Sequence, residues 1–247
     1  MRTIERNPFL DGAKVGLIVP SVNTTTEPEF SWMAPPNVSF HATRVFMNTT
    51  TPDALRAMNA EVHNAGRLLA TLSPDVVAYA CTAGSFVDGL DATHTLVEEL
   101  RGVVKCPVVA TSIAMIEALR QLGVSRVALA TPYPRDVSEL EARFLAGNGF
   151  QIVSHECLGR SGADVRPTQF DEIVDLVQRV DRAEAQALFV SCTDLRAMEV
   201  IDGLEKRLAK PILTSNQVTF WAVMRTLNIS ISARIGKFGA LLERVVN

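Results

Sequence analysis

Two segments with the same local pattern decide the fold: residues 78–85 read AYACTAGS, and residues 188–195 read LFVSCTDL. Each segment places a cysteine, Cys81 or Cys192, directly after a short apolar run and directly before a threonine. An apolar run that ends in small polar residues predicts a buried strand that passes into a loop. Because ligands of open α/β sheets bind at the carboxyl ends of strands, the sequence predicts two thiols at two strand ends, one in each half of the chain.

The two halves also match in other segments. The cysteines are 111 positions apart, residues 14–21 (KVGLIVPS) match 126–133 (RVALATPY) at an offset of 112, and residues 106–112 (CPVVATS) match 210–216 (KPILTSN) at 104. A period near 110 residues is too long for a solenoid repeat and indicates two related domains. A pseudo-twofold relation between these domains would place the two cysteine loops face to face.

Strand and helix patterns alternate along the chain, which is typical of βαβ units with parallel sheets. We therefore predict an α/β fold of two pseudo-symmetric domains with the active site in the cleft between them. The first domain is predicted to cover 1–112, joined by a returning C-terminal segment at 217–247, and the second to cover 113–216. The predicted strands are 14–19, 38–46, 75–80, 107–110, 126–130, 151–155, 186–191 and 211–214. The predicted helices are 52–71, 92–101, 112–122, 134–147, 168–182, 194–208 and 217–246.

Composition excludes several classes of protein. The net charge of −3 over 247 residues shows no basic footprint for nucleic acid. No run reaches the roughly 18 apolar residues of a membrane helix, and the opening MRTIERNP resembles neither a signal peptide nor a transit peptide. We expect a cytoplasmic homo-oligomer whose four cysteines stay reduced. No Cys-x-x-Cys or His-x-x-x-His spacing occurs, so we expect no zinc site.

Polar side chains are concentrated where four predicted strands end: residues 20–27 (PSVNTTTE), 81–85, 131–135 and 191–196. Hydroxyl and backbone N–H groups at such strand-to-helix passages form anion sites. Because no loop shows the Gly-rich spacing of a nucleotide motif, a carboxylate on a small molecule is favoured over a phosphate. A hydroxyl-rich helix cap is the alternative interpretation of residues 21–26.

The cysteines differ in how well they fit a chemical role. Cys106 precedes a strand and Cys157 follows an ordinary strand, so both are assigned to space filling, which is common for free cysteine. Cys81 and Cys192 are expected near helix N-termini, which would lower the thiol pKa below its usual value of about 8.5. Such a pair suits proton transfer from opposite faces, or a nucleophile opposed by an acid.

Other titratable residues are weaker candidates. The four histidines lie outside the polar clusters and are assigned to structural or surface positions. Asp194 either orients a substrate group or caps a helix. Arg135 and Arg196 either bind a carboxylate, which Arg does bidentately, or are solvated at the surface.

Residues 18–27, 79–85 and 191–196, taken together, resemble the maleate cis-trans isomerases of the aspartate/glutamate racemase superfamily, which also contains the arylmalonate decarboxylases. The resemblance covers essentially the whole chain. It implies a cofactor-independent enzyme in which Cys81 adds to the substrate double bond and Cys192 handles a proton. It also implies that Asn23 and Tyr133 bind a substrate carboxylate.

The hydroxyls of the same loops, Ser21, Thr82 and Thr193, complete the expected substrate-binding set.

Three positions depart from that family pattern. Val22 stands where the family usually has Ser, Asp194 stands where it has Asn, and the loop at 158–166 (LGRSGADVR) lacks the family's Asn. An anionic Asp194 would disfavour a dianionic substrate. The sequence therefore predicts the type of reaction but not maleate as the substrate. Having both cysteines favours an isomerase or a racemase over a decarboxylase, because the decarboxylases keep only the second cysteine.

Three alternatives to a maleate-type isomerase stay open. They are a two-cysteine amino-acid or carboxylate racemase, an arylmalonate-type decarboxylase, and a carboxylate-binding module without turnover.

Overall fold

A computed structural model describes residues 7, 11–231 and 238–243. Its centre is a pair of four-stranded sheets in which every neighbouring pair of strands is parallel. The first sheet has the order β2-β1-β3-β4 and the second has the order β6-β5-β7-β8. The strands are β1 Ala13–Pro20, β2 Val38–Val45, β3 Val76–Tyr79, β4 Val108–Ala110, β5 Arg126–Thr131, β6 Gln151–Cys157, β7 Ala187–Val190 and β8 Ile212–Thr214. In each sheet the order, counted along its own half of the chain, is second, first, third and fourth strand. The predicted α/β fold with two related parallel sheets is therefore confirmed.

The inner strands are apolar because helices cover both of their faces. Every residue of β3 (VVAY) and of β7 (ALFV) is buried, as expected for the centre of a parallel sheet. The last paired residues are Ile18 with Tyr79 in the first sheet and Ala130 with Val190 in the second. This register brings the loops after β1 and β3 to one sheet edge, and the loops after β5 and β7 to the corresponding edge of the other sheet.

Helices connect most of the strands. They are α1 Thr26–Met33, α2 Pro52–Ala60, α3 Val62–Ala70, α4 Thr82–Phe86, α5 Leu90–Val104, α6 Thr111–Gln121, α7 Arg135–Gly147, α8 Phe170–Val180, α9 Ile201–Leu208, α10 Ser215–Thr226 and α11 Ala240–Glu243, with a 3-10 turn at Gly162–Asp164. Gly123 and Gly149, with φ of 68° and 93°, follow α6 and α7 in the left-handed conformation that glycine commonly adopts after a helix.

The helices differ from the sequence prediction at several points. The segment 52–71 forms two helices that meet at Glu61. The prediction missed α1 and α4, because the first begins inside the polar loop after β1 and the second is too short to show a helical period. The prediction of a helix from 194 was wrong for residues 194–200, about two helical turns, since α9 begins at Ile201. The predicted last helix falls partly on 232–237 and 244–247, outside the described residues.

The long C-terminal helix α10 contacts elements of the first half. Phe220 packs edge-on against Phe30 of α1, with ring centroids 5.6 Å apart. The hydroxyl of Thr219 lies 2.9 Å from that of Thr111 at the start of α6. The point at which one domain ends and the other begins, near residue 112, stays a prediction.

Within the described part of the chain, no helix has the length and apolar character that a membrane span requires.

Candidate active site

A cavity opens where the carboxyl ends of β1, β3, β5 and β7 meet between the two halves. Its empty space, including the part open to solvent, is about 350 Å³. The residues that line it are Pro20, Val22, Asn23, Met47, Thr50, Cys81, Thr82, Ala83, Tyr133, Gly162, Val165, Cys192, Thr193 and Asp194. Six of the seven site residues named from the sequence are in this set, and Ser21 is the exception.

Cys81 stands at the N-cap of α4, directly after β3. Its Sγ accepts a hydrogen bond from the backbone N–H of Gly84 at 3.3 Å. The Tyr79 hydroxyl lies near the sulfur and donates to Asn59 Oδ1 at 2.5 Å. Burial nevertheless raises the pKa of Cys81 to about 11, with the Gly84 and Tyr79 contacts opposing that rise. The prediction of a lowered thiol pKa was therefore wrong here, because desolvation of the thiolate outweighs the helix N-terminus.

Cys192 occupies the equivalent place after β7 but has no helix behind it, since residues 193–200 are turns. Its φ of 90° lies in the left-handed region that non-glycine residues seldom adopt, which is backbone strain of the kind that accumulates at functional sites. Its amide N–H donates to the Ser215 hydroxyl at 2.9 Å, and its Sγ accepts from the Asp194 N–H at 3.4 Å. Burial, followed by the charge of Asp194, raises the Cys192 pKa far above its ordinary value, so this prediction of a lowered pKa was also wrong.

The chain contains two tyrosines, and each is in contact with one of these thiols. Tyr133 was expected at the site, whereas Tyr79 was missed. Tyr79 reaches Cys81 because Gly84 has no side chain: a Cβ there would lie 2.2 Å from the tyrosine hydroxyl. A tyrosine two residues before a candidate cysteine, with a glycine three residues after it, was the available signal.

Asn23 is buried and ties the two halves together. Its Nδ2 donates to the hydroxyls of Thr26 and Thr193, each at 3.0 Å, and its Oδ1 accepts from the backbone N–H groups of Thr25 and Thr26, also at 3.0 Å. All four hydrogen-bonding positions of the amide are therefore in use. A substrate carboxylate bound by Asn23 would have to replace one of the two threonine contacts.

The hydroxyls named from the sequence take different positions. Ser21 faces away from the cavity, because its Oγ donates to the Met47 carbonyl at 3.2 Å and accepts from the Met47 N–H at 3.0 Å. Thr82 donates to Ser215 at 2.8 Å, and Thr193 donates to the carbonyl of Ala80 at 3.1 Å. Ser215, at the first position of α10, thus joins both cysteine loops; sequence reasoning did not single it out.

Asp194 is 5% exposed and is the only charged residue among those lining the cavity. Its Oδ1 accepts the backbone N–H of Thr24 at 2.8 Å, and its carbonyl accepts the Thr25 hydroxyl at 3.1 Å. Burial raises the pKa of its carboxyl, and the contacts to Thr24 and Thr25 oppose that rise. Asp194 therefore binds the loop after β1 in the first half of the chain and does not cap a helix that follows it. The capping interpretation was wrong.

The loop at 158–166 covers one side of the cavity. The Thr50 N–H donates to Ser161 Oγ at 2.6 Å, and the Gly162 N–H donates to Thr50 Oγ1 at 3.1 Å. A Cβ on Gly162, whose φ is 54°, would lie 2.1 Å from the carbonyl oxygen of Asn48. Only glycine permits this close approach between the two halves.

The other candidates lie away from the cavity. Cys106 and Cys157 are partly exposed and do not line it, and neither does any histidine of the described chain. Arg196 pairs with the Glu199 carboxylate at 2.7 Å and stacks on Phe170, so it does not face a substrate carboxylate in the cavity. Arg135 is exposed at the surface. Among the described residues, no cluster of three or more His, Cys, Asp or Glu side chains could hold a metal ion.

Fold and site together define a class: an α/β protein of two related parallel sheets that presents one cysteine from each half to a shared cavity. A profile of the arylmalonate decarboxylase family matches residues 15–238. Because this match spans most of the chain, the protein belongs to that family.

The individual relatives have two different activities. A maleate isomerase from Nocardia farcinica is 29% identical over 230 residues, which cover 89% of this chain and 92% of the relative. An arylmalonate decarboxylase from Bordetella bronchiseptica is 29% identical over 232 residues, covering 93% and 96%. The solved structure of a cysteine-to-serine variant of the Nocardia farcinica maleate cis-trans isomerase, with a covalently bound succinylcysteine intermediate, matches with a TM-score of 0.88 at 27% identity, covering 94% of this chain and 98% of that one.

Proposed function

We propose that this protein is a cofactor-independent cis-trans isomerase of maleate or a related small cis-unsaturated acid, acting through a covalent adduct on Cys81. The observation that carries the proposal is the pair of thiols, buried Cys81 and half-buried Cys192, which follow strands of different sheets and line one cavity. The succinylcysteine captured in a relative of the same fold supports an adduct of this kind.

The proposed reaction is an addition followed by its reversal. The Cys81 sulfur forms a bond to one carbon of the double bond, and Cys192 supplies a proton to the other carbon, so the double bond becomes a single bond. The thiol proton of Cys81 replaces the one that Cys192 gives away. The adduct then rotates about the new single bond. In the elimination, the proton that Cys192 took from Cys81 returns to the Cys81 sulfur as the S–C bond breaks. Cys192 takes the proton from the neighbouring carbon, which restores both thiols and releases the trans product.

The environment of each thiol suits its role. A raised pKa keeps Cys192 protonated at neutral pH, which a proton donor needs. The Gly84 N–H donates to the Cys81 sulfur and stabilises the thiolate that leaves in the elimination step. The nearby Tyr79 hydroxyl donates to Asn59 and would have to turn to assist that thiolate. Tyr133, whose hydroxyl accepts from Ser191 and donates to no oxygen or nitrogen of the described residues, supplies a neutral donor to the substrate carboxylate. Thr82 and Thr193 would have to give up their bonds to Ser215 and Ala80 to do the same.

An arylmalonate-type decarboxylase is the second candidate, because the family profile carries that description and a decarboxylase is as similar in sequence as the isomerase. The second thiol, Cys81, favours the isomerase, since decarboxylation needs only one proton donor. A two-cysteine racemase would use the same pair of thiols to remove and return a proton.

The discriminating experiment is a substrate panel followed by NMR in deuterated water. Isomerisation of a cis-unsaturated acid, with a mass increase on Cys81, supports the proposal. Loss of carbon dioxide from an arylmalonate, or deuterium exchange at the α-carbon of aspartate or glutamate without an adduct, would assign the protein to one of the other two activities. Binding across the panel without turnover would indicate a carboxylate-binding module.

A cytoplasmic location belongs to the same proposal, because the chemistry requires both thiols to stay reduced. The homo-oligomeric state stays a prediction.

A further inference from the structure

The cavity contains an acceptor that nothing in the protein satisfies. Asp194 Oδ2 is buried and, among the described residues, has no hydrogen-bond partner, whereas Oδ1 is satisfied by Thr24. A buried carboxylate oxygen without a partner is costly, and native structures seldom leave one unless a ligand or water completes it. Because Asp194 also lines the cavity, the bound substrate is the natural partner of this oxygen.

The charge of the cavity wall is unsuited to two carboxylates. Asp194 is the only charged side chain in the lining set, and it carries the same sign as maleate. Arg166 lies close enough to lower the Asp194 pKa and its Nε is buried without a partner among the described residues, but it forms no ion pair with Asp194. Neither Arg166 nor Arg44, which donates to the Asn23 carbonyl, lines the cavity. A dianion would therefore place a second negative charge beside Asp194, with no cation in the lining set to neutralise it.

The remaining lining groups can hold one carboxylate. The hydroxyl oxygens of Thr50 and Tyr133 accept from Gly162 and Ser191, and no oxygen or nitrogen of the described residues accepts their protons. The hydroxyls of Thr82 and Thr193 already donate to Ser215 and Ala80. Burial raises the Asp194 pKa, which shows how poorly its own charge is solvated before any substrate arrives. The site therefore has neutral donors suited to one acidic end of a substrate, and an anionic acceptor that calls for a donor at the other end.

We propose that Asp194 selects a half-amide: a cis-unsaturated acid with a carboxylate at one end and a primary amide at the other, whose N–H donates to Asp194 Oδ2. This inference rests on the proposed isomerase function and narrows its substrate. The amide carbonyl still withdraws electrons from the double bond, so thiol addition by Cys81 remains possible. Addition, rotation and elimination balance as they do for the diacid, and the amide is unchanged in the trans product.

The test compares two probes, maleamic acid (the monoamide) and maleate, with wild type and Asp194→Asn. Asparagine keeps an oxygen for the Thr24 N–H, and its amide removes the charge, so the fold is expected to survive; far-UV circular dichroism and a thermal melt check this. We expect wild type to have a kcat/KM for the monoamide at least about 100-fold above that for maleate, since a site built for a donor rejects an analogue that lacks one. In Asp194→Asn the ratio of the two kcat/KM values, monoamide over maleate, should fall by at least about tenfold. We expect kcat/KM to decrease for the monoamide and to increase for maleate.

Asp202→Asn is the matched control, because it makes the same chemical change on α9 outside the cavity lining and should leave the ratio unchanged. A wild type that prefers maleate, or a ratio that Asp194→Asn does not move, overturns the inference and leaves the isomerase proposal intact. Turnover of neither probe, with no mass increase on Cys81, overturns the isomerase proposal and this inference together.

Discussion

Glu141 of α7 offers a quantitative test of how burial controls charge in this protein. Its side chain is fully buried, its Oε1 accepts the Ser191 hydroxyl at 2.8 Å, and its Oε2 has no hydrogen-bond partner among the described residues. Burial raises the pKa of this carboxyl from 4.5 to about 8, and the Ser191 contact opposes the rise. The folded protein therefore keeps Glu141 protonated at neutral pH, whereas the unfolded chain does not.

The sign of the pH dependence follows from these two values. Because the folded-state pKa is above the unfolded one, the favourable contribution is complete below about pH 4.5 and is lost as the pH rises toward 8. Each pH unit within this window costs about 1.4 kcal/mol. Between about pH 5 and pH 7.5, Glu141 should lower the free energy of unfolding by roughly 3 kcal/mol.

Glu141→Gln removes the ionisation while keeping the shape and the acceptor for Ser191. We expect the free energy of unfolding of the variant, relative to wild type, to rise by roughly 3 kcal/mol from about pH 5 to about pH 7.5. Urea unfolding at several pH values, followed by tryptophan fluorescence, measures it. Glu29, whose pKa burial also raises to about 8, contributes equally to both proteins and cancels in the difference.

Glu139→Gln is the control, because it removes an exposed carboxylate from the same helix and should follow wild type at every pH. If the Glu141→Gln curve runs parallel to wild type, the folded protein ionises Glu141 in the same pH range as the unfolded chain. The argument from desolvation would then be refuted.

Three further predictions concern the cysteines and their neighbours. Cys81→Ser should abolish turnover, whereas Cys192→Ser should be severely impaired and accumulate adduct on Cys81; mass spectrometry of both variants decides this, and full activity in Cys81→Ser would contradict it. Iodoacetamide should modify partly exposed Cys106 before Cys81. The rate of alkylation of Cys81 should rise about tenfold per pH unit as the pH approaches its pKa of about 11. An alkylation rate that does not depend on pH would argue against a buried neutral thiol. Gly84→Ala should displace the Tyr79 hydroxyl, lower kcat at least about tenfold and cost roughly 1–3 kcal/mol of stability; unchanged kinetics would show that this hydroxyl does not assist Cys81.

Much of the fold could be predicted because its signals are local. Apolar runs such as 76–79 and 187–190 mark buried strands, and Gly123 and Gly149 mark helix ends, each through the conformational preferences of a few neighbouring residues. The internal repeat then related the two cysteine loops. Short or irregular elements carry too little local pattern, which is why α4 and the turns after Cys192 were missed.

The chemical character of the site depended on which surfaces meet. The sequence placed Cys81 and Cys192 at strand ends, but their raised pKa values come from burial between the two halves, which no local pattern records. The contact of Tyr79 with the thiol and the unpartnered oxygen of Asp194 likewise arise only after folding. Local sequence therefore determined the strands and the position of both thiols along them, whereas desolvation and hydrogen bonds across the cleft, which depend on long-range packing, decided the charge of each group.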